Sequence, residues 1–471
     1  MSVTGPTGPT GATGTSPNGF VTVGPSSDGN VYSFYTDGVD DYVEIQQAID
    51  SARDVIIMPG NYNIGNASIV IRSGRSLRGL VIPRYGDGHW FHSAEKAVTA
   101  INVSSTTFSP IVMCPGSSLE RVLINYPDQT YITPTVYPAA ITASAVTESD
   151  GTAYCANGLT IRDVNVGSAY IGINFTNLSF ISDIIIEGVR GSPLYIGIQL
   201  DHCGHVASIF DCQFVPGFGG DANGAGNDGK NYISDHLTAF SIGLDLSGTL
   251  TQCKVWGALF GYYIFGDACS LIDCLSDGTQ YGIYIDGSHN TVLGGCHYGF
   301  HLVDGDPVWE HPLTAITIHG DGNCISGAHI CGSEHGVYII DNSNNNVIFG
   351  NDIFGYGLKD DANFCAGVYD YGVNSIVSSN AIMQSSTYTN TWGIFIAGTD
   401  GRYSSNQISG TLSQKYCYYS PVREIVDGAS TNAGNPNTTG YWYNFPLIGV
   451  IVRDTVNSNT YIYINGGWVQ I

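Results

Sequence analysis

Short apolar runs, broken by Gly and Asn, follow one another along most of the chain. A unit of Gly or Ala, apolar, any residue, apolar recurs with anchors at Gly172, Gly197, Gly243, Gly261, Gly282, Ala315, Gly336, Gly367 and Gly393. Successive spacings are 25, 46, 18, 21, 33, 21, 31 and 26 residues, a base period near 20 with some units lengthened. A repeat of this size predicts a solenoid in which each unit is one coil resting on the last. Strand alternation assigns the faces. The first and third residues after each anchor point inward: Ile173 and Phe175, Ile198 and Leu200, Leu244 and Leu246, Tyr262 and Ile264, and so on to Ile394 and Ile396. Asp370 is the one carboxylate in this inward set. A buried unpaired charge is costly, so the pattern predicts either a local register shift at Asp370 or a perturbed functional acid.

The second residue after each anchor points outward and reads Asn174, Gln199, Asp245, Tyr263, Tyr284, Thr317, Tyr338, Tyr369 and Phe395. Coils stack about 4.8 Å apart, so these form a stripe of aromatics on one outer sheet. Three readings stand side by side: a sugar-stacking platform carried by Tyr284, Tyr338 and Tyr369, a face buried between parallel subunits, or plain β propensity. Several units continue to a further strand through an Asn turn at Asn351, Asn380 and Asn406. Asn tolerates left-handed backbone at a tight corner, and stacked amides hydrogen-bond along a solenoid.

The lengthened units take on their extra residues at Val215, Val303, Tyr356 and Gln384, which lie 18, 21, 20 and 17 residues after their anchors. Insertions at similar phase leave a solenoid from one edge, so they predict a wall of loops beside a groove. Residues 215–236 are Gly-rich and carry Asp221, Asp228, Asp235 and His236. A second loop reads Asp304-Gly305-Asp306-Pro307-Val308-Trp309-Glu310-His311. Glycoside cleavage uses two carboxyl groups roughly 5–10 Å apart with an aromatic platform for the sugar. Asp306 and Glu310, with Glu310 as proton donor, and Trp309 as glycan contact supply that set. The same run also reads as a solvated acidic loop or a calcium site, and no other cofactor is expected. His202 and His205 have an HxxH spacing, but on a strand they face opposite sides, so no metal site is expected there.

Ahead of the repeats, Asp37-Gly38-Val39-Asp40-Asp41 leads into Ile45-Gln46-Gln47-Ala48-Ile49-Asp50. Asp41 and Glu44 have capping-box spacing, and Ile45, Ala48, Ile49 and Ala52 share a helix face. A strand, Val55-Ile56-Ile57-Met58, ends in the turn Pro59-Gly60-Asn61-Tyr62. Over residues 37–62 the chain resembles the pectate-lyase-like superfamily. The resemblance implies an all-β, right-handed parallel β-helix, here spanning residues 37–410. It leaves the chemistry open, because that superfamily hosts lyases, hydrolases and non-catalytic fibres. The Asn-Thr-Asp, paired Asp, Gly-His-Gly and Arg-Ile-Lys signatures of polygalacturonase-like members are absent, and Ser333-Glu334-His335-Gly336 is only an echo. Pectate lyases need basic residues beside bound calcium, and this chain has few.

Composition narrows the partners. Among 471 residues, 40 acids against 16 bases give a formal charge of −24 and a pI near 4.5. Nucleic acid and anionic lipid surfaces are thereby disfavoured, for want of a basic face. No apolar run is long enough to span a bilayer, and Met1-Ser2-Val3-Thr4-Gly5-Pro6 does not read as a signal peptide. Twelve cysteines sit singly, without CxxC or zinc spacing, which predicts buried free thiols and synthesis in a reducing cytosol.

Residues 5–16 place Gly at every third position, as a collagen triple helix requires, and read as a thin stem on a trimer or as a flexible linker. Expected divisions are a stem and connector over 1–36, the solenoid over 37–410, a linker over 411–440 and a terminal β module over 441–471. In that last segment, Asn457-Ser458-Asn459 and Asn465-Gly466 occupy hairpin-turn positions. The segment resembles the β tips of phage tail proteins, and the whole set of parts resembles bacteriophage tailspikes and tail fibres. That resemblance implies a homotrimeric virion protein joined to tail or baseplate proteins and assembled in the host cytoplasm. It would bind a host surface polysaccharide and, in some cases, depolymerise it. The alternatives are a free-standing polysaccharide lyase or glycoside hydrolase, and a structural surface filament.

Overall fold

The computed structural model describes residues 19–65, 67–83, 98–131, 133–144, 157–176, 181–202, 207–216, 228–243, 248–299, 314–332, 334–356, 365–384 and 391–410. It also describes the short stretches 146–147, 153–154, 414–418, 424–427, 451–454, 459–464 and 467–470. The stem triplets, Asp221, His205, and the Asp306–Glu310 loop with Trp309 lie outside these residues.

Each coil contributes one strand to each of three parallel sheets. Ser270–Ile272 lies in sheet A, Leu275–Asp277 in sheet B and Tyr281–Ile285 in sheet C. The next coil repeats them in register, with Leu271 beside Val292, Ser276 beside His297 and Ile283 beside Ile316. Among the described residues, sheet A has 19 strands and sheet C has 13. Sheet B is a 3-stranded and a 9-stranded piece, joined through single bridges at Asn165. The protein is a parallel β-helix.

Its core is a set of vertical columns. Ile186, Ile209, Leu250, Leu271, Val292, Ile325, Ile348 and Val377 line sheet A inside, each at most 1% exposed. Ile198, Phe240, Tyr262, Ile283, Ile316, Val337, Val368 and Ile394 line sheet C at 0%. Complete burial of such side chains contributes roughly 1.5–3 kcal/mol apiece, so the columns are the main stabilising term.

Four expectations need correction. The anchor of the third coil is Ala239, not Gly243: Phe240 and Ile242 stand beside Tyr262 and Ile264, and the outward residue is Ser241 rather than Asp245. An Ala fills the anchor here as it does at Ala315, while Leu244-Asp245-Leu246 imitates the pattern four residues late. Nor is there a register shift at Asp370, which stacks between Ile339 and Ile396 and is 0% exposed. Its carboxylate is held by donors instead, Gly372 N–H at 2.7 Å, the Ser375 hydroxyl at 3.0 Å and the Tyr403 hydroxyl at 2.7 Å.

The third correction concerns the Asn corners. The left-handed residues are Gly350, Ser379 and Ser405, one position earlier. Asn351, Asn380 and Asn406 form the amide ladder, with Asn351 Nδ2 donating to Asn380 Oδ1 and Asn380 Nδ2 to Asn406 Oδ1, both at 3.0 Å. A second ladder runs through Asn290, Asn323 and Asn346, where each backbone N–H meets the next side-chain oxygen at 2.8 Å. Finally, Asp41 does not cap the helix Tyr42–Ser51 with its side chain. It is fully buried and accepts the Gly38 and Asn63 N–H groups at 2.8 and 2.7 Å, tying the helix start to the strand Gly60–Ile64. Ile45, Ala48 and Ile49 of that helix join the core and close the first coil.

Strands Phe20–Pro25 and Phe34–Thr36 also belong to sheet A. At the other end the coils run on past residue 410, through Gln414–Tyr418 in sheet C and Glu424–Asp427 in sheet A. Ile451–Asp454 then adds to sheet A in parallel, and Asn459–Ile464 and Gly467–Gln470 follow antiparallel.

The outer face of sheet A differs from the rest of the surface. In the seven strands from Ala207–Phe210 to Ile376–Ser378 the outward positions are Ser208, Phe210, Thr249, Thr251, Ser270, Ile272, Thr291, Leu293, Cys324, Ser326, Val347, Phe349, Ile376 and Ser378. All are at least partly accessible and none is charged.

Candidate functional site

Sheet C brings the predicted outward residues from Tyr263 to Phe395 into one ladder, with Ser241 in the place expected for Asp245. Ser241, Tyr263, Tyr284, Thr317, Tyr338, Tyr369 and Phe395 are successive neighbours. Anchor-minus-one positions add a second ladder that the sequence reading missed, with Phe260, Tyr281, Thr314, His335, Ala366 and Trp392 in successive coils. Strict alternation would turn the residue before each anchor inward with the first and third residues after it; the pattern breaks at the Gly, where Phe260 and Tyr281 stay accessible, so period 2 alone could not reveal this ladder.

The two ladders make two aromatic panels. In the first, Phe260 stacks on Tyr281 at 4.9 Å, and Tyr263 lies 5.6 Å from both Tyr284 and Phe265. These rings are half-buried. In the second, Tyr369 stacks on Phe395 at 4.3 Å, Trp392 meets Phe395 edge-on at 5.6 Å, and His335 lies 4.6 Å from Tyr369. Tyr369, Trp392 and Phe395 are buried and form a small apolar cluster separate from the main core, with Tyr338 packed against it. Of the three predicted glycan-contact tyrosines, Tyr284 and Tyr338 thus keep accessible surface and Tyr369 is largely covered.

Polar groups edge the first panel. His319 Nδ1 and Asp286 Oδ1 are 2.5 Å apart, and the Tyr263 hydroxyl donates to Asp286 Oδ2 at 3.3 Å. Both partners of the pair stay well exposed, His319 at 49% and Asp286 at 35%. The carboxylate orients the imidazole and leaves Nε2 to meet a ligand hydroxyl. Asp286 and His319 are each the fourth residue after an anchor, in adjacent coils, so their meeting was legible only once the coil length between them was known. Burial raises the pKa of Tyr263 and of Tyr284, and nearby Asp286 adds to both, so these phenols stay protonated donors. Burial pushes His335 down to about 3, and its Nδ1 accepts the Ala366 N–H at 3.2 Å, so this ring is neutral. Thr314 Oγ1 and Thr317 Oγ1, between the panels, are buried and have no hydrogen-bond partner among the described residues.

The insertions all fall between a sheet B strand and the following sheet C strand. They join Gln213–Phe214 to Thr238–Gly243, Cys296–Gly299 to Thr314–Ile318, Asp352–Phe354 to Cys365–Asp370 and Ala381–Gln384 to Thr391–Ile396. One corner, along the entry edge of the aromatic sheet, therefore holds all four predicted insertions, as the phase argument required. Two earlier long connections, from Ser76–Gly79 to Thr99–Val103 and from Ile141–Ala143 to Thr160–Arg162, belong to the other two corners. The first contains a helix, Asp228–His236, whose Asp235 Oδ1 accepts from Gln280 Nε2 at 3.2 Å and whose Tyr232 and His236 rings stack at 4.0 Å.

Among the described residues, Cys114, Cys212, Cys253, Cys269, Cys274, Cys296, Cys324, Cys331 and Cys365 are free thiols. No helix there is long and apolar enough to cross a membrane, and no group of three His, Cys, Asp or Glu is placed to hold a metal.

No family model and no curated protein matches the sequence. Among solved structures, the chain is similar to the N-terminal fragment of gene product 12 of bacteriophage phi29, at 13% identity and TM-score 0.50, over 88% of this chain and 72% of that one. It is also similar to tailspike protein 3 of bacteriophage CBA120, at 11% identity and TM-score 0.43, over 96% and 69%. A third likeness is to the A-module of mannuronan C-5 epimerase AlgE4 from Azotobacter vinelandii, at 15% identity and TM-score 0.46, over 84% and 98%. Identities this low speak for fold alone, and that fold is the parallel β-helix described above.

Proposed function

We propose that this protein is a phage virion spike that holds a host cell-surface polysaccharide against the outer face of sheet C. The observation that carries the reading is the half-buried aromatic panel of Phe260, Tyr263, Tyr281 and Tyr284, with the Asp286–His319 pair at its rim. Flat rings stack on the apolar faces of sugars, while rim groups bond the hydroxyls. A chain of charge −24 favours neutral or cationic sugars over polyuronates. Names of the similar proteins point the same way: one is a phage tailspike and another a mannuronan epimerase. Joining to tail or baseplate proteins, assembly in the host cytoplasm and a homotrimeric state belong to this reading. So does the insertion before Thr314, where Asp306 and Glu310 are the candidate cleaving pair and Trp309 a further sugar contact.

The test is incubation of the purified chain with capsule and exopolysaccharide extracts from candidate hosts, scoring binding and release of reducing ends separately. Tyr284→Ala is expected to weaken binding about tenfold, the equivalent of about 1.4 kcal/mol, with the fold unchanged. Undiminished binding by that variant would remove the platform. Asp306→Asn with Glu310→Gln is expected to abolish any fragment release while leaving binding intact.

A further inference from the structure

The outer face of sheet B carries a second group of rings beside an imidazole–carboxylate pair. Strand alternation sets its outward residues in two columns. His329 and Asp352 are neighbours in one, and Tyr298, Cys331 and Phe354 follow one another in the other. His329 Nδ1 and Asp352 Oδ2, from adjacent coils, are 2.9 Å apart, and both side chains stay accessible, at 40% and 53%. The imidazole lies 4.2 Å from the Phe354 ring. Tyr298 stands at 82° to that imidazole and at 81° to Phe354, with centroids 6.1 and 6.2 Å away. Cys331, the small residue between Tyr298 and Phe354, is buried, while both rings keep part of their surface. Three rings from three coils thus make a right-angled corner, fixed by their own contacts.

We propose that this corner is a second and separate binding site, for a neutral sugar unit of the polysaccharide. Its ligand rests on the preceding reading; its geometry does not. A sugar lays an apolar face on one ring, and the ring at a right angle bounds its edge. Asp352 occupies the Nδ1 side of the imidazole, which turns Nε2 toward the sugar hydroxyls. Burial raises the pKa of Tyr298, so its phenol stays a protonated donor. From Leu275 to Met383 the outward positions of sheet B hold no Lys or Arg, whereas Asp277 and Asp352 are acidic. Uronates and phosphorylated sugars are therefore opposed, and neutral ones admitted. Tyr298 and Phe354 are two coils apart, about 10 Å, so the corner takes a short piece of chain. The outer faces of sheets B and C are different sides of the coil, so Tyr284 and Tyr298 serve different sugars. Trp256, 41% exposed and two coils before Tyr298, is a ring on the same face outside the corner.

The experiment is calorimetric titration of the full chain with short oligosaccharides, cut by mild acid from whichever capsule extract the wild type retains. Wild type is expected to take up two per chain. Phe354→Ala is expected to weaken one of the two about tenfold, and His329→Gln the same one about fivefold. Tyr284→Ala is expected to weaken the other, and Trp256→Ala neither. If Phe354→Ala loses its circular dichroism, His329→Gln, at an accessible position, carries the test. One oligosaccharide per chain that the sheet B variants leave unchanged overturns this site alone, as does an equal loss in Trp256→Ala. One that only the sheet B variants weaken upholds it and removes the sheet C platform. Retention of no extract overturns the spike reading, and the assignment of a sugar to this corner with it.

Discussion

Asp370→Ala lowers the stability of the last coils by about 3–5 kcal/mol, the cost of leaving three buried donors unpaired at roughly 1–3 kcal/mol each, less partial relaxation. Gly372 N–H and the Ser375 and Tyr403 hydroxyls all end on this carboxylate, so no single residue near it can replace its oxygens. Asp370→Asn behaves differently. Its amide oxygen keeps the Gly372 and Ser375 bonds, and its NH2 donates to the Tyr403 oxygen, a hydroxyl that works in either direction.

Burial raises the pKa of Asp370 above 3.8, against the opposing pull of its three donors. The protonated form is therefore favoured in the fold. That contribution is fully present below the unfolded value and is lost as pH rises through the folded one. Stability of Asp370→Asn relative to wild type should accordingly improve as pH is raised from about 4 and level off above the folded pKa. Urea unfolding at a series of pH values reads both effects. A difference that falls as pH is raised would show that the donors, not burial, decide the charge state.

Gly320→Ala has a still larger expected effect. A Cβ at Gly320 would fall on the Gly287 carbonyl oxygen, and one at Gly287 on the Gly266 carbonyl oxygen. These are backbone atoms of the coil below, so the clash cannot be relieved by turning a side chain. Adjacent coils must separate, and the hydrogen bonds between them lengthen together. The loss exceeds about 4 kcal/mol and is expected as insoluble or partly unfolded protein. Gly350→Ala is the control. Gly350 is left-handed at φ +66°, with nothing within 4 Å of an added Cβ. Its cost is the backbone conformation alone, about 1–2 kcal/mol. Soluble yield and thermal melting separate the two. If Gly320→Ala melted like Gly350→Ala, the close coil contact at the sheet C corner would not be limiting.

Much of the solenoid was legible because its physics repeats at short range. Ile283 and Ile285 are inward because strands alternate, and Tyr284 is outward for the same reason. What escaped was whatever depends on how many residues lie between coils. Ala239 was passed over because Gly243 begins an equally apolar alternation, and only pairing with Tyr262 distinguishes them. Asp286 and His319 are 33 residues apart and meet only because the intervening coil is lengthened. Asp370 and Asp41 broke the local rule for a buried position and a cap respectively. In both, nearby donors are completed by one from a distant residue, Tyr403 for Asp370 and Asn63 for Asp41, which no local pattern reveals. The aromatic panel was anticipated as a stripe, yet its division into an accessible and a covered part depends on three-dimensional packing.

The placement of the lengthened segments has a consequence for how such a protein changes its target. Gly261 and Gly282 are 21 residues apart, whereas Gly197 and Ala239 are 42 apart, yet both pairs deliver strands in the same register. The scaffold is therefore indifferent to what is spliced in at that one corner. New segments, or whole exchanged ones, would alter what the edge of the aromatic sheet presents while every rung of the ladder stays as it was.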